Sequence, residues 1–285
     1  MQIKDFIQTL RDYYRSHGRH DLPWRSPEAD GSFDPYKILV SEIMLQQTQV
    51  SRVLPKYEAF IRELPTVQAL AATPLGIVLV AWQGLGYNRR AKYLWQAAQM
   101  VMGDFGGVFP CARQTLTKLP GVGNNTAGAV MAYAYNKPAA FVETNIRTVY
   151  IHHFFHDQTG VADKDILALV AETLEAWMRE EHDNNTSGGG PGLSRTFYWA
   201  LMDYGTYLKQ TVGNKSRASM SYAKQSKFTG SVRQLRGKVL RVLAAGPLGE
   251  AALVKLLSDE RTHTVLAALT DEGMVRRHSG LVELP

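Results

Sequence analysis

Leu116-Thr117-Lys118-Leu119-Pro120-Gly121-Val122-Gly123-Asn124-Asn125-Thr126-Ala127-Gly128 decides how this chain is read. Apolar residues end a short helix, Gly121 and Gly123 permit a tight hairpin with positive φ, and small residues (Ala127, Gly128, Ala129, Ala132, Ala134) restart a helix at once. That is a helix-hairpin-helix pattern. A helix N-terminus preceded by glycines turns free backbone N–H groups outward, so its natural ligand is an anion, and on a basic protein that anion is a DNA phosphate. The run Gly121, Val122, Gly123, Asn124, Asn125 and Thr126 is therefore the expected phosphate grip. About twenty residues later, Phe141-Val142-Glu143-Thr144-Asn145 places a carboxylate just past the second helix.

The chain has 285 residues, 45% hydrophobic and 20% charged, an ordinary globular composition with enough length for two or three small domains. Its formal charge of +6 and pI near 9.3 fit a polyanionic partner. The distribution says more: from 204 to 249 there is no acidic residue, while Lys209, Lys215, Arg217, Lys224, Lys227, Arg233, Arg236, Lys238 and Arg241 fall inside that window. Cys111 is the single cysteine, so neither a disulfide framework nor a four-cysteine metal or iron–sulfur site can be built within one chain. The N-terminus lacks the basic-then-apolar order of a signal peptide, and no apolar run reaches membrane-spanning length. A soluble cytoplasmic protein, associated with the nucleoid and not with a membrane, is expected.

Working outward, residues 2 to 17 carry Ile3, Phe6, Ile7, Leu10, Tyr13 and Tyr14 at helical spacing. Asp34 and Pro35 open a helix read as Tyr36 to Thr48, with Glu42 in its middle. Further helices are expected at 49–63, 66–71, 74–82, 88–102, 112–118, 124–135, 144–156, 163–180 and 193–208, with a polar, glycine-rich loop over 184–192. Residues 230–285 change character, to helices near 232–244, 249–257 and 261–272, then a hairpin of 274–277 with 281–284. This order resembles a winged helix.

Two further segments carry chemistry. Ser41-Glu42-Ile43-Met44-Leu45-Gln46-Gln47-Thr48 sets one acid in an apolar helix that ends in amides and a hydroxyl. A partly buried acid acquires the raised pKa of a general acid, and amides read base edges or fill the space of an extruded base; a surface acid on a polar helix end is the alternative. Trp82-Gln83-Gly84-Leu85-Gly86-Tyr87-Asn88-Arg89-Arg90 is a glycine turn that can push Tyr87 into a base stack while Arg89 and Arg90 hold phosphates. His152, His153 and His156, near Asp157, read as packing rather than a metal site, as do Tyr133 and Tyr135. Lys118 and Arg147 are read as touching phosphate or facing water.

Glu42 to Val50, Gly84-Leu85-Gly86-Tyr87, and Leu119 to Gly123 with Thr126-Ala127-Gly128, in this order and spacing, resemble the helix-hairpin-helix superfamily of DNA glycosylases, most closely the MutY-type adenine glycosylases. The resemblance spans about residues 5 to 208. It implies an all-α, two-lobed fold with DNA bound across a cleft: a six-helix lobe of 30–140 and a second lobe of 1–29 plus 141–208; beyond it, the residues themselves read as a basic linker of 209–229 and a small C-terminal winged-helix-like (α+β) domain of 230–285. By position it implies that Glu42 protonates the departing purine and that Glu143, with Asn145 in the same segment, stabilises charge developing on the sugar. Gln46, Gln47, Thr48, Tyr87, Arg89 and Arg90 are the implied DNA contacts around a flipped nucleotide. A monovalent cation at the carbonyls of Leu119 to Val122 is also implied.

The departures from the family pattern are as informative. Glu143 stands where the family usually has aspartate, and Asn125 where bifunctional relatives carry lysine, so base removal without strand cleavage is expected. The usual iron–sulfur ligands are missing, and Lys224, Lys227 and Arg233 of the basic stretch are expected to contact DNA instead. The large domain that recognises 8-oxoguanine is not evident. The expected activity is a monomer excising adenine opposite 8-oxoguanine or guanine in double-stranded DNA; excision of thymine, uracil or a damaged purine, or non-catalytic DNA binding, are the alternatives.

Overall fold

The computed structural model describes residues 1–156, 158–184 and 194–285; Asp157 and most of the polar loop lie outside the described residues. The chain is helical, as its periodicity requires. In order the helices are α1 (Ile3–His17), α2 (Pro35–Leu45), α3 (Val50–Glu63), α4 (Val67–Ala72), α5 (Leu75–Ala81), α6 (Arg89–Asp104), α7 (Arg113–Leu116), α8 (Asn124–Tyr133), α9 (Thr144–Tyr150), α10 (Asp163–Asn184), α11 (Ser194–Thr211), α12 (Val232–Leu243), α13 (Glu250–Leu257) and α14 (Thr262–Asp271). Past Tyr150 the helix expected over 144–156 widens into a π-helical turn, Ile151–Phe155. Three short strands, β1 (Leu248–Gly249), β2 (Arg276–His278) and β3 (Leu281–Glu283), pair antiparallel in the order β1-β3-β2. β1 was not expected.

The chain groups into two compact units whose bounds differ from those read in the sequence: 1–38, 111–117 and 122–224 in one, 39–110, 118–121 and 225–285 in the other. The hairpin helix α8 thus shares a unit with the N-terminal segment 1–38, and 225–285 shares one with 39–110.

In the first unit, α1 buries Phe6, Ile7 and Leu10, α9 buries Ile146 and Val149, and α11 buries Phe197, Tyr198 and Leu201. Phe141 stacks on Tyr198 with ring centroids 4.0 Å apart. Gly128 and Gly205 permit close approaches: a Cβ on the first would lie 2.9 Å from the Phe141 side chain, and on the second 2.5 Å from the Asn145 carbonyl oxygen. α11 therefore rests directly on the first turn of α9. The expected packing of the histidines fits His153, which lies 5.5 Å from the Phe6 ring and bonds the Tyr204 hydroxyl at 3.0 Å. Burial lowers its pKa to about 4.

In the second unit, Ile43 and Met44 of α2 join Val53, Tyr57, Phe60, Trp82 and Leu94 in a core. Leu235, Val239, Leu253, Leu266, Leu269 and Val282 form the core of the winged-helix-like segment. That segment is tied to α5 by a bond from the Gly76 N–H to the Pro285 carbonyl at 2.8 Å, and to α6 by Arg89, which shares Glu272 with Arg236.

Candidate active site

In the unit of 39–110, the two predicted wedge segments are turns set by one side chain. α2 stops at Leu45, not Thr48. The physical reason is Arg90: its Nη1 donates to the carbonyls of Ile43 and Met44 at 2.9 Å and Gln46 at 2.6 Å, so a guanidinium takes the carbonyls that end the helix. Gln47 then adopts φ +55° and projects into solvent. Nη2 of Arg90 donates to Thr48 Oγ1 and to the carbonyls of Leu85 and Gly86, each at 3.1 Å. Tyr87 follows with φ +48°. Left-handed backbone at a non-glycine residue costs on the order of 1–3 kcal/mol and persists where the surroundings over-determine it, often at functional sites.

Arg90 was expected on phosphate; at 8% exposure it is instead a buried clamp, its pKa lowered by burial to about 10 and hence still charged at neutral pH. Arg89 is exposed and pairs with Glu272 at 2.5 Å. Burial raises the Glu272 pKa, but bonds from Arg89 and Arg236 outweigh it and bring it down to about 2. Arg233, also expected on phosphate, lies over the Tyr87 ring with its guanidinium carbon 4.7 Å from the centroid. It bonds the Tyr87 hydroxyl and the Ser226 carbonyl. Lys224 and Lys227 are exposed. Glu42 is half-buried within α2, between the buried Ser41 and Ile43 and one turn before the clamped end.

The other unit holds the second acid. Glu143 occupies the N-cap position of α9 without its side chain bonding the helix N–H groups. Asn125 fixes the residue before it: Nδ2 donates to the Val142 carbonyl at 2.8 Å, and Oδ1 accepts from the Val142 N–H at 3.4 Å. Arg113 joins the same two strands of chain, donating to the carbonyls of Asn124 and Ala140 at 2.8 and 2.9 Å. Asn125 is thereby a positioning residue for the Glu143 segment. Within the grip, Val122 and Thr126 are buried, whereas Gly123, Asn124 and Asn125 remain exposed.

Asn145 donates to the Met202 carbonyl and Thr206 Oγ1 at 3.2 and 3.3 Å and accepts from Lys209 Nζ at 2.5 Å. Lys209 lies one helical turn beyond Gly205, so the glycine contact brings this amine to the start of α9. Burial raises the pKa of Glu143, and the charges of Arg147 and Lys209 offset this only in part. Lys209 shows the reciprocal effect: burial lowers its pKa to about 8, with Glu143 opposing. Arg147, read as touching phosphate or facing water, instead forms a two-point ion pair with Asp163, 2.7 Å at each contact, and that bond lowers the Asp163 pKa. Sequence reasoning missed Lys209 as a neighbour of the acid; a glycine inside α11 one turn earlier was the available signal.

Among the described residues no group of three or more His, Cys, Asp or Glu is placed to hold a metal ion. An iron–sulfur cluster of the four-thiolate kind does not fit a chain whose single thiol, Cys111, is exposed beside Lys137 Nζ at 3.0 Å.

Residues 40–175 match the HhH-GPD superfamily base excision DNA repair protein model. The adenine DNA glycosylase of Mycolicibacterium smegmatis is 35% identical over 276 residues, which covers 92% of this chain and 89% of the relative. The chain belongs to the HhH-GPD superfamily, within its adenine DNA glycosylase family. The adenine DNA glycosylase of Buchnera aphidicola subsp. Baizongia pistaciae is 34% identical over 203 residues, 71% of this chain but 52% of the relative. The chain thus aligns with about half the length of that relative and most of the mycobacterial one. Among solved structures, a thermostable thymine-DNA glycosylase superposes with a TM-score of 0.57 at 28% identity, covering 71% of this chain and 85% of its own. An endonuclease III trapped in a covalent DNA intermediate shares the fold, with a TM-score of 0.52 at 19% identity over 73% of this chain and 87% of its own. In this HhH-GPD protein the superfamily match ends at 175, so Lys209, beside Glu143, and Gln225 and Arg233, at Tyr87, come from outside it.

Proposed function

We propose that this protein is a monofunctional DNA glycosylase of base excision repair that flips adenine out of mismatches with 8-oxoguanine or guanine and hydrolyses its N-glycosidic bond. The observation that carries the reading is the pair of left-handed turns bearing Gln47 and Tyr87, clamped by Arg90 one turn beyond Glu42. An exposed amide and a half-exposed aromatic ring, each carried on left-handed backbone, suit insertion into the gap left by an extruded nucleotide. The free N–H groups at the start of α8 hold a backbone phosphate. Glu42 passes its proton to the adenine as the glycosidic bond breaks, the Glu143 carboxylate lowers the energy of the cationic sugar, and water adds to C1′ and returns a proton to the Glu42 carboxylate, which leaves an abasic site. Lys209 and Arg147 act on Glu143 by favouring its ionised form against burial.

Asn125 offers an amide that cannot form a Schiff base, which supports base removal without strand cleavage. Lys209 is the amine to watch: cleavage of processed abasic DNA at the rate of base release, lost in Lys209→Met, would overturn that part. The protein acts as a monomer on double-stranded DNA in the nucleoid-containing cytoplasm, without a resident cofactor. The likeness to a thymine-DNA glycosylase at 28% identity favours thymine opposite guanine as the second reading. One experiment separates them: duplexes carrying single mismatches or lesions are incubated with wild type and Glu42→Gln, and alkali reveals abasic sites. Adenine release abolished in the variant supports the proposal. Release of thymine alone, or of no base, refutes it.

A further inference from the structure

A segment beyond the superfamily match lies across the wedge. Gln225 Nε2 donates to the Tyr87 hydroxyl and reaches Gln47 Oε1 at 3.5 Å, so one amide touches both left-handed residues. Arg233 lies over the Tyr87 ring, 4.7 Å from its centroid, donates to the same hydroxyl, and has the Phe228 ring 5.5 Å away. Its other terminal nitrogen donates to the Ser226 carbonyl at 3.1 Å. A ring that enters a base stack must present a bare face and a free edge. Here a face of Tyr87 and its hydroxyl are both taken.

Two arginines touch this ring, and they differ. Arg90, its guanidinium carbon 5.4 Å from the centroid, is buried and fixes the turn through the Leu85 and Gly86 carbonyls, so it stays in place whatever the ring does. Gln225 and Arg233 hold only the far end of the side chain. They flank a weakly anchored stretch: every residue from 221 to 230 is exposed, and a segment that buries little apolar surface is lifted at small cost. Arg233 is also incompletely satisfied, since its Nε is buried with no hydrogen-bond partner among the described residues. A phosphate gives such a guanidinium a two-point charge-assisted bond in place of a ring, a phenol and one carbonyl. With Lys227 exposed in the same stretch and no acidic residue from 204 to 249, a polyanion draws this segment off the wedge.

We propose that residues 225–233 are an autoinhibitory strap: in DNA-free protein they hold Tyr87 and Gln47 back, and the phosphates of a duplex release both by taking Arg233. The inference rests on the glycosylase reading above for what the released wedge then does. Insertion follows DNA contact in this scheme, and the aromatic side chain stays covered until a duplex is present.

Two measurements test it. The first is stopped-flow fluorescence of 2-aminopurine placed beside a mismatched adenine, in the Glu42→Gln background so that no base is released. At saturating protein, Gln225→Ala and Phe228→Ala should each open the stack faster than the parent, Gln225→Ala by about fivefold, the weight of one net hydrogen bond. Both side chains are exposed, so truncation leaves the core intact. Slower opening would make the segment a support for the wedge and an unchanged rate would make it idle; either result overturns the proposal. The second measurement places 3-fluorotyrosine at position 87 and follows its fluorine resonance. In free protein Gln225→Ala should shift that resonance, and with undamaged duplex bound the two proteins should coincide, because the strap has let go. A difference that persists in the bound state refutes the strap. This readout needs no base chemistry, so a wild type that releases no adenine would refute the glycosylase reading and leave the strap to be decided by the resonance.

Discussion

The guanidinium of Arg90 donates to the carbonyl oxygen of Gln46 at 2.6 Å, the shortest of the bonds by which this buried cation joins two turns. A lysine places one point charge where Arg90 spreads a planar fork, so it cannot serve both the Gln46 and Gly86 carbonyls. Arg90→Lys is expected to lower unfolding free energy by about 3 kcal/mol, since buried bonds to a charged group are lost and carbonyls are left unpartnered. Urea unfolding at neutral pH measures it. A change under about 1 kcal/mol would show that the turns hold themselves, because lost buried charge-assisted bonds ordinarily exceed that.

Gln47 separates stability from function. Its side chain is exposed and its φ is +55°, so glycine relieves backbone strain and removes only an exposed amide with one long bond, 3.5 Å from Gln225 Nε2. Gln47→Gly is expected to be as stable as wild type, or up to about 1 kcal/mol more so. Its base release should nevertheless fall by about tenfold or more, because about 1.4 kcal/mol of lost transition-state interaction suffices for that factor. Unchanged turnover would remove Gln47 from the wedge.

Much of this was legible in local pattern. Gly121, at φ +78°, marked the hairpin, whereas Gly123, also read at positive φ, is extended at φ −85° because it serves as the N-cap of α8; periodicity placed the helices within a few residues of their observed bounds. What pattern cannot carry is a partner distant in sequence. Arg89 and Arg90 read alike as phosphate contacts, and only burial against carbonyls more than forty residues earlier separates them. The end of α2 was misread for the same reason, since the group that stops it belongs to α6. β1 escaped notice because two residues, Leu248 and Gly249, cannot show a period. Tyr87 stood out on its glycine turn, but its bonds to Gln225 and Arg233 run across 138 and 146 residues.

Glu143 must be ionised to stabilise a cationic sugar, and burial raises its pKa, so base release should fall on acidification at a higher pH than an ordinary glutamate would give. Lys209 opposes that shift. Lys209→Met should move the acid limb of the single-turnover profile upward by about one pH unit or more, the effect of removing a close opposite charge. Lys209→Arg should keep it near the wild-type position. An acid limb that ignores the charge at 209 would leave the lysine a packing role only.

Asp203 is 2% exposed and accepts from the Arg19 N–H and Nε at 2.8 and 2.7 Å and from both Arg25 terminal nitrogens at 2.8 and 2.9 Å. Burial alone would raise its pKa, but the bonds and charges of Arg25 and Arg19 prevail and hold it below the usual 3.8. A carboxylate depressed in the folded state contributes its stability in full above the unfolded pKa and loses it as pH falls through the folded one. Asp203→Asn leaves Arg25, 8% exposed, without its counter-ion, and should cost about 3–5 kcal/mol at neutral pH. Because the wild type forfeits the same ion pair on acidification, the gap between the two proteins should narrow as denaturant unfolding is repeated at progressively lower pH. A gap that stays constant into the acid range would mean that Asp203 acts by shape and hydrogen bonding rather than by charge.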